Sequence, residues 1–508
     1  MTVIPLPHRF SAALALVLAA TSAHADLTAA DVWGDWRDYL NGFGYAVTGT
    51  ESMSGNVLTV SDVTMDMKMP ENGGNVAFQI GTLSFTENGD GTVAIGLPAS
   101  MPVTVTTVPE SGETVTMTMA YSHDGLDMVA SGTPTELRYA YSARSIDMAL
   151  TGMTVNGAAV PPADAVMSVS LRDISGTSDM TIADLRTYTQ DFTASGVSYN
   201  MDFAEPGQSN RAKITGSMGI LTLAGTGQVP LGMTEPGDMA AMLDAGFGID
   251  GTINYQTGTM QITANGPDGP LEASTSTEGG ALKVAMSANG LTYDARQTGL
   301  KVDATAAAAP LPISFMVRNS AFNLSMPLKK SDTAGDFAFG FTLGDFTMSD
   351  MLWGLFDPTA QLPRDPATLA LDLTGKARLL FDFLDPSAAV VSGDPNVTPA
   401  EVESVDIHRI QVTVAGAELT GNGAFTFDNT QALNGMPKPT GAADFRLVGG
   451  NGLLDKLVAM GLIPEDEAMG MRMMLGLFAR PGDGEDTLVS KIEVNAEGQV
   501  LANGQRLR

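Results

Sequence analysis

"IHRIQVTVAGAELTGNGAFTFDNT", residues 407–430, decides how this chain folds, because nearly every second residue in it is apolar. Alternation of that kind is the signature of a strand with one buried and one wet face. The alternation changes phase inside the stretch. Val405 and Ile407 share one parity, whereas Ile410, Val412 and Val414 share the other. A one-residue slip exchanges the two faces of a strand, so a bulge at His408-Arg409 is required to keep all five on one side. Asn422-Gly423 and Asp428-Asn429 are expected to supply the turns that follow.

The same grammar extends in both directions. In "DFAFGFTLGDF" (336–346), Phe337, Phe339, Phe341 and Leu343 fall on one strand face, and Ala338, Gly340 and Thr342 make the other nearly smooth. From Tyr45 to Phe203 strand follows strand. "NVLTVSDVTMDMKM" sets Val57, Thr59 and Ser61 against Leu58, Val60 and Asp62, and "ETVTMTMAYS" alternates Val115, Met117 and Met119 with threonines and Ala120. Asn72-Gly73, Asn88-Gly89, Asp90-Gly91, Asp124-Gly125 and Asn156-Gly157 fall between the runs, as hairpins require. "ASGVSYNMDF" (194–203) and "SANGLTYDAR" (287–296) share a weak internal similarity, for which generic hairpin chemistry is the preferred explanation over a repeated layer.

Helical patterning is sparse. Thr28 and Asp31 resemble a capping box ahead of a face made by Ala29, Trp33, Trp36 and Leu40, so this opening helix is expected to plug one end of the sheet body. Asp238–Leu243 and Ser349–Phe356 read as helical turns. "GLLDKLVAMGL" and "PEDEAMGMRMMLGLFAR" read as a helical pair with Pro464 in the second helix's first turn. The fold class expected is therefore mainly β. It is a long curved antiparallel sheet, a meander of hairpins forming an open trough or a sandwich, with a few short helices capping its ends.

The ends and the composition give an address. Arg9, the apolar run Phe10–Ala20 and Ala23-His24-Ala25 form a secretory signal with a cleavage site. The run is shorter than the roughly 20 residues that span a bilayer, and no later stretch reaches that length, so no transmembrane segment is expected after its removal. The expected organisation is a signal peptide at 1–25 and a β body with an opening helix at 26–385. A Pro-containing connection at 386–400, marked by Pro386, Pro395 and Pro399, leads to a C-terminal β section with the helical pair at 401–508. The expected compartment is the periplasm. Cysteine is absent, which a chain of 508 residues tolerates because its core is large. With 57 Asp plus Glu against 27 Lys plus Arg and a net charge of −30, the surface repels nucleic-acid phosphates and anionic headgroups. Nucleic acid is excluded as a partner.

Residues capable of chemistry are few. Past the signal the histidines are His123 and His408, too few for a zinc site in a chain without cysteine. No nucleophile elbow, H-E-x-x-H, P-loop or S-x-x-K pattern is present, although triads defined by geometry leave a hydrolase built on either histidine open. A carboxylate pair of the glycosidase type is likewise open by count, but aromatic platforms are scarce. "ENGDGT" and "RPGDGEDT" lack the ligand spacing of an EF-hand and read as solvated turns. Met65, Met67 and Met69 alternate as thioether ligands for monovalent copper would, and equally as a strand's core face would; the core reading is favoured, and methionine makes such a face adaptable. No catalytic residue, metal ligand or cofactor is expected.

At the tail, "AGAELTGNGAFTFDN" (415–429), "GMPKPTGAADFRLVGGNGLLDKLVAMGL" (435–462) and "KIEVNAEGQVLANGQRLR" (491–508) resemble an alphaproteobacterial family catalogued as domain of unknown function 2125. "DYLNGFGYAVTGTESMSGNVLTVSDV" (38–63) resembles that family's opening. More distantly, the rhythm of the tail strands is similar to AsmA-like envelope proteins. That resemblance implies a long sheet with an apolar inner face and a role in phospholipid movement or outer-membrane upkeep. It departs here in that no retained N-terminal anchor is expected. The expected function is a non-enzymatic periplasmic protein holding lipid or other hydrophobic cargo on an apolar sheet face, with Phe337, Phe339, Phe341, Ile410, Val412, Val414, Phe425 and Phe427 as lining. The alternatives are a structural or assembly protein made of two sheets closed on each other, and a hydrolase.

Overall fold

A computed structural model describes residues 26–507 apart from position 43 and the segments 69–74, 108–111, 206–208, 232–238, 310, 385–397 and 434–435. The expected signal peptide (1–25), the expected Asn72-Gly73 turn, Met69 and most of the 386–400 connection lie outside the described residues.

Strong alternation and frequent turn dipeptides give, among the described residues, one antiparallel sheet of 27 strands. Its logic is an up-and-down meander. β1 (Tyr45–Ser54), β2 (Val57–Lys68) and β3 (Asn75–Glu87) pair in order. The next passes are broken near mid-length into collinear halves. β4 (Val93–Gly96) and β5 (Ser100–Thr107) both pair with β3, and β6 (Val115–Asp124) and β7 (Asp127–Thr133) both pair with β8 (Glu136–Val155). After the short β9 (Ala158–Ala159), β10 (Ala165–Ile182) pairs with β8 on one side. On its other side it pairs with β11 (Leu185–Ala194) and β12 (Gly196–Ala204), which run end to end. β13 (Arg211–Met218) and β14 (Leu221–Pro230) form the next pass, against β15 (Gly248–Gly266).

Unbroken hairpins then follow through β16 (Gly269–Ser287), β17 (Gly290–Ala306), β18 (Ile313–Met326), β19 (Gly335–Met348), β20 (Ala367–Leu379), β21 (Ala400–Val414), β22 (Ala417–Leu433) and β23 (Met436–Val448). β24 (Arg480–Pro481), β25 (Thr487–Val494), β26 (Val500–Ala502) and β27 (Gln505–Arg506) finish the sheet. β20 and β21 flank the proline-containing connection and pair directly, so the hydrogen-bonded ladder crosses it without a break.

A line of bulges crosses the strands. Asp62, Asp173, Thr257 and Asp345 have positive φ (53°, 44°, 50° and 52°), and each is passed over by the pairing register. An extra residue bends a strand and increases its twist, which is how passes as long as these curve. Each bulge also resets the parity. Asp62, expected on the side of Leu58 and Val60, is lifted out of phase, so Val63 joins those two in the core. The bulge required near His408 is present: Ile407 pairs with Leu373 and Arg409 with Asp372, leaving His408 between them. The turn expected at Asn422-Gly423 is not there. Both residues lie inside β22, and the chain reverses earlier, at Ala415-Gly416, where both φ values are positive (50° and 83°) as a two-residue hairpin turn demands. Asp428-Asn429 also falls inside β22, at a register shift, with Asp428 Oδ1 accepting from the Thr430 amide at 2.9 Å.

The helices occupy the places that the sheet leaves unfinished. α1 (Ala29–Gly42) begins with the expected capping box, in which the Thr28 amide donates to Asp31 Oδ2 at 3.0 Å and the Asp31 amide to Thr28 Oγ1 at 3.2 Å. It packs Val32 and Trp33 on Leu58, Val60, Leu83 and Phe85, the largest buried cluster. α2 (Met239–Asp244) packs Met242 and Leu243 on Val229, Phe247 and Leu328 at the end of the sheet where β14 stops and β15 starts. The opposite end carries α3 (Asp350–Trp353), α4 (Gly450–Ala459) and α5 (Glu465–Phe478), with Pro464 as the residue before α5's first turn. Trp353 of α3, Leu362, Ala415 and Leu453 of α4 form the cluster that fixes them there. Among the described residues no helix is long and apolar enough to cross a membrane.

Candidate functional site

Following the register from strand to strand identifies a single apolar face. Tyr139 of β8 faces Ser178 of β10, and Met180 faces Tyr188 of β11. The ladder then continues through Gly227 and Ile249 to Met286, Leu291 and Met326. Farther on, one rung reads Phe341, Leu371, Ile410, Gly421, and the next Leu343, Leu369, Val412, Leu419. The opposite face is mostly polar or small, with residues such as Arg138, Asp179, Thr226, Asp250, Gly340, Ala370 and Gln411. Exposure falls on the same side. Met53, Phe203, Ile253, Leu271, Tyr293, Ile313, Phe341, Leu369 and Val414 are exposed large hydrophobics of that one face, and among the described strand residues only Met316 stands exposed on the other. Two sheets closed on each other would bury these rings. Ile253 at 37%, Phe341 at 37% and Leu369 at 47% exposure show that no second layer covers them among the described residues.

Aromatic rings keep this face low. Tyr188 lies over its cross-strand neighbour Gly227, where a Cβ would come within 2.3 Å of the ring, and Tyr141 over Gly176, Tyr199 over Gly216 and Tyr255 over Gly280 repeat the arrangement. Phe337 over Gly375 and Phe445 over Gly421 do the same toward the C-terminus. A ring lying flat on a glycine presents an apolar surface without filling the space above it.

At the N-terminal side the same face passes under α1 and becomes a hollow of about 470 Å3. Trp36, Tyr39 and Leu40 form its roof, and Met65, Phe78, Met101, Tyr121, Met128 and Met148 its floor and walls. Its volume lies within the roughly 300–1,000 Å3 usual for sites that enclose small ligands, and apolar linings are usual there too. One polar group spans it. Asp35 of α1 pairs with Arg186 of β11 at 2.6 Å, each side chain only 5% exposed, and Tyr139 Oη donates to Asp35 Oδ2 at 2.8 Å. The Tyr39 ring lies 4.8 Å from the Arg186 guanidinium carbon. Burial, and then the negative charge of Asp35, hold the Tyr139 phenol far above its ordinary pKa, so it remains a donor. The pair cancels its own charge, leaving the hollow apolar and electrically neutral. A larger hollow, about 800 Å3, opens at the α2 end of the sheet, lined by threonines and aspartates such as Thr187, Thr226, Asp179 and Asp250 together with residues of the Met180–Met326 rung. Its lining is more polar than that of the hollow under α1.

The residues expected as lining are brought together. Phe337, Phe339 and Phe341 of β19, Ile410, Val412 and Val414 of β21, and Phe425 and Phe427 of β22 share the apolar face. They belong to its open stretch. The roofed hollow is made by residues that were signalled only indirectly, by the paired tryptophans of α1 and the alternating Met65. Met65 serves as hollow lining among other methionines.

The chemistry-bearing residues are dispersed. His123 sits on β6 with its ring 6.1 Å from Tyr121, and neither ring nitrogen has a hydrogen-bond partner among the described residues. His408, exposed at its bulge, bonds Thr374 Oγ1 at 2.7 Å. No group of three or more His, Asp or Glu side chains placed to hold a metal ion occurs among the described residues. In the two acidic turns the carboxylates are used locally. Asp90 Oδ1 accepts from the Thr92 amide at 3.0 Å, and Asp486 caps α4 by accepting from the amides of Asn451 (3.2 Å) and Gly452 (2.8 Å).

Comparison with curated proteins and with solved structures finds no match. A family model does match, over residues 242–504, which takes in most of the open apolar face and the helices of the C-terminal part but not residues 38–63. That span exceeds half of the 508 residues, so the chain belongs to the family described as "Uncharacterized protein conserved in bacteria (DUF2125)".

Proposed function

We propose that this protein is a non-enzymatic holder or carrier of apolar cargo, exported to the periplasm, which lays acyl chains along the open face and takes a chain end into the hollow under α1. The observation that carries this reading is the one-sidedness of exposure: large hydrophobics stand open to solvent on one face, in register, and lead to a roofed apolar hollow. Maintaining such a surface is unfavourable unless something apolar covers it. Each methylene that leaves water contributes about 0.8 kcal/mol, so an acyl chain binds without any contact to its headgroup. The self-neutralised Asp35–Arg186 pair favours entry of the uncharged end of an amphiphile, with its head left outside. The signal-like residues 1–25 and the similarity of the strand rhythm to AsmA-like envelope proteins support the periplasmic setting and lipid as the cargo.

Titration of a fluorescent acyl probe, with displacement by unlabelled fatty acid, tests the reading. Saturable binding is expected, weakened roughly tenfold by Phe341→Asp, which removes apolar contact and adds a charge that resists desolvation. Absence of saturable binding, or binding indifferent to Phe341→Asp and to a charge placed at Met101, would overturn it.

A further inference from the structure

We infer that the end of the sheet carrying α3, α4 and α5 docks on a lipid bilayer with uncharged, zwitterionic headgroups; this rests on the carrier reading and supplies its route for loading. The inference starts from α5. Met469, Met473 and Leu477 recur at the i, i+4, i+8 spacing of one helix face and are 65%, 73% and 54% exposed. The helix is nevertheless firmly seated. Ala468 is fully buried on its other side, Arg472 pairs with Asp455 of α4, and the Phe478 carbonyl accepts from Ser490 Oγ at 2.6 Å and Asn503 Nδ2 at 3.0 Å. The apolar row therefore points outward by construction. Leu462 in the α4–α5 turn, and Met351 and Leu355 at α3, are 50%, 51% and 59% exposed and belong to the same end of the sheet.

Position and charge select the occupant. The apolar face reaches this end through Leu369 at the start of β20 and Val414 at the end of β21, both exposed, and Ala415 beside Val414 belongs to the cluster that anchors α3 and α4. Cargo leaving the face here would meet the exposed helix row next, and a bilayer is the one surface that continues both. Methionine and leucine side chains insert among acyl chains without demanding a fixed partner shape. Glu465, Asp466 and Glu467 in the first turn of α5, on a chain of net charge −30, oppose anionic headgroups.

Vesicle flotation with the full-length chain tests this. The chain is expected to float with vesicles of phosphatidylcholine and phosphatidylethanolamine, and less well at low salt when one third of the lipid is phosphatidylglycerol. Met469→Asp combined with Met473→Asp is expected to cut the bound fraction about tenfold or more. Both side chains are exposed, so the melting temperature and acyl-probe binding in solution should stay unchanged. A wild-type chain that stays with the unbound fraction overturns the inference, as does a double variant that floats as well as the wild type. So does a double variant whose sole change is a smaller oligomer, since a second copy would then be the occupant. A chain that floats through these methionines yet binds no acyl probe would remove the carrier reading and leave the docking surface standing.

Discussion

Asp35 of α1 and Arg186 of β11 form an ion pair at 2.6 Å that joins the opening helix to a strand far along the meander. Because α1 also packs on β2 and β3 through Val32 and Trp33, this contact holds the helix across the sheet as the roof of the hollow. A buried charge deprived of its partner is costly, whereas two apolar replacements of similar size are not. Arg186→Met alone is expected to lower unfolding stability by about 3–5 kcal/mol. Asp35→Leu added to it should restore most of the loss. Urea unfolding of the two single variants and the double variant measures this, and strict additivity of the losses would mean that the pair is not coupled.

The contact of Tyr188 with Gly227 tests how the open face is kept low. A side chain at Gly227 collides with the ring, so Gly227→Val is expected to destabilise by about 1–3 kcal/mol, the usual cost of overpacking. In a Tyr188→Ala background the same change should cost much less. A double-mutant cycle by denaturant unfolding reads the coupling, and equal costs in both backgrounds would show that the ring does not rest on the glycine.

Much of this was legible in the residues. Alternation around Ile407–Thr430 and Phe337–Phe341 gave the strands and the shared face, because a period of two leaves no other arrangement that buries one side. The bulge at His408 was readable as a parity conflict. Turn dipeptides misled where a residue pair suited to a turn sits mid-strand. Asn422-Gly423 stays extended because Phe445, lying over Gly421, and the close approach of Ala443 to Gly423 use these glycines for cross-strand packing. The weak similarity of 194–203 to 287–296 has the same local origin, since one starts at the crease between β11 and β12 and the other at the β16–β17 hairpin. The hollow was not legible. It depends on which distant strands α1 reaches, and a single Asp–Arg contact across some 150 positions has no periodic signature.

Strong acid should loosen the cap that Asp486 provides to α4. Burial opposes the charge on Asp486, but hydrogen bonds from Gly452 and Asn451 outweigh it and hold the carboxyl below its ordinary pKa. A carboxylate with a depressed folded-state value stabilises fully above the ordinary value near 4, and the contribution is lost as pH falls through the folded-state value. Asp486→Asn is therefore expected to lower stability at pH 7 and to differ progressively less from the wild type as the pH drops below about 4. Hydrogen exchange of the Asn451 and Gly452 amides checks it. A difference that widens on acidification would contradict the assignment.

His123 separates a carrier from a hydrolase. Its buried ring nitrogens have no partner among the described residues, so His123→Phe is expected to preserve acyl-probe binding and to raise stability by about 1 kcal/mol. Loss of a measurable esterase turnover in this variant, with the fold intact, would instead favour catalysis at that position.

The central claim is that apolar cargo lies on one face of the sheet and runs under α1. Photo-crosslinking with a fatty acid bearing a diazirine in its chain, followed by peptide mapping, tests it most directly. Labels are expected on Ile253, Tyr293, Phe341 and Leu369 of the open face and on Met101 and Met128 of the hollow, all displaced by excess unlabelled fatty acid. Labels spread evenly over both faces, or confined to the opposite face around Thr187 and Thr226, would contradict it.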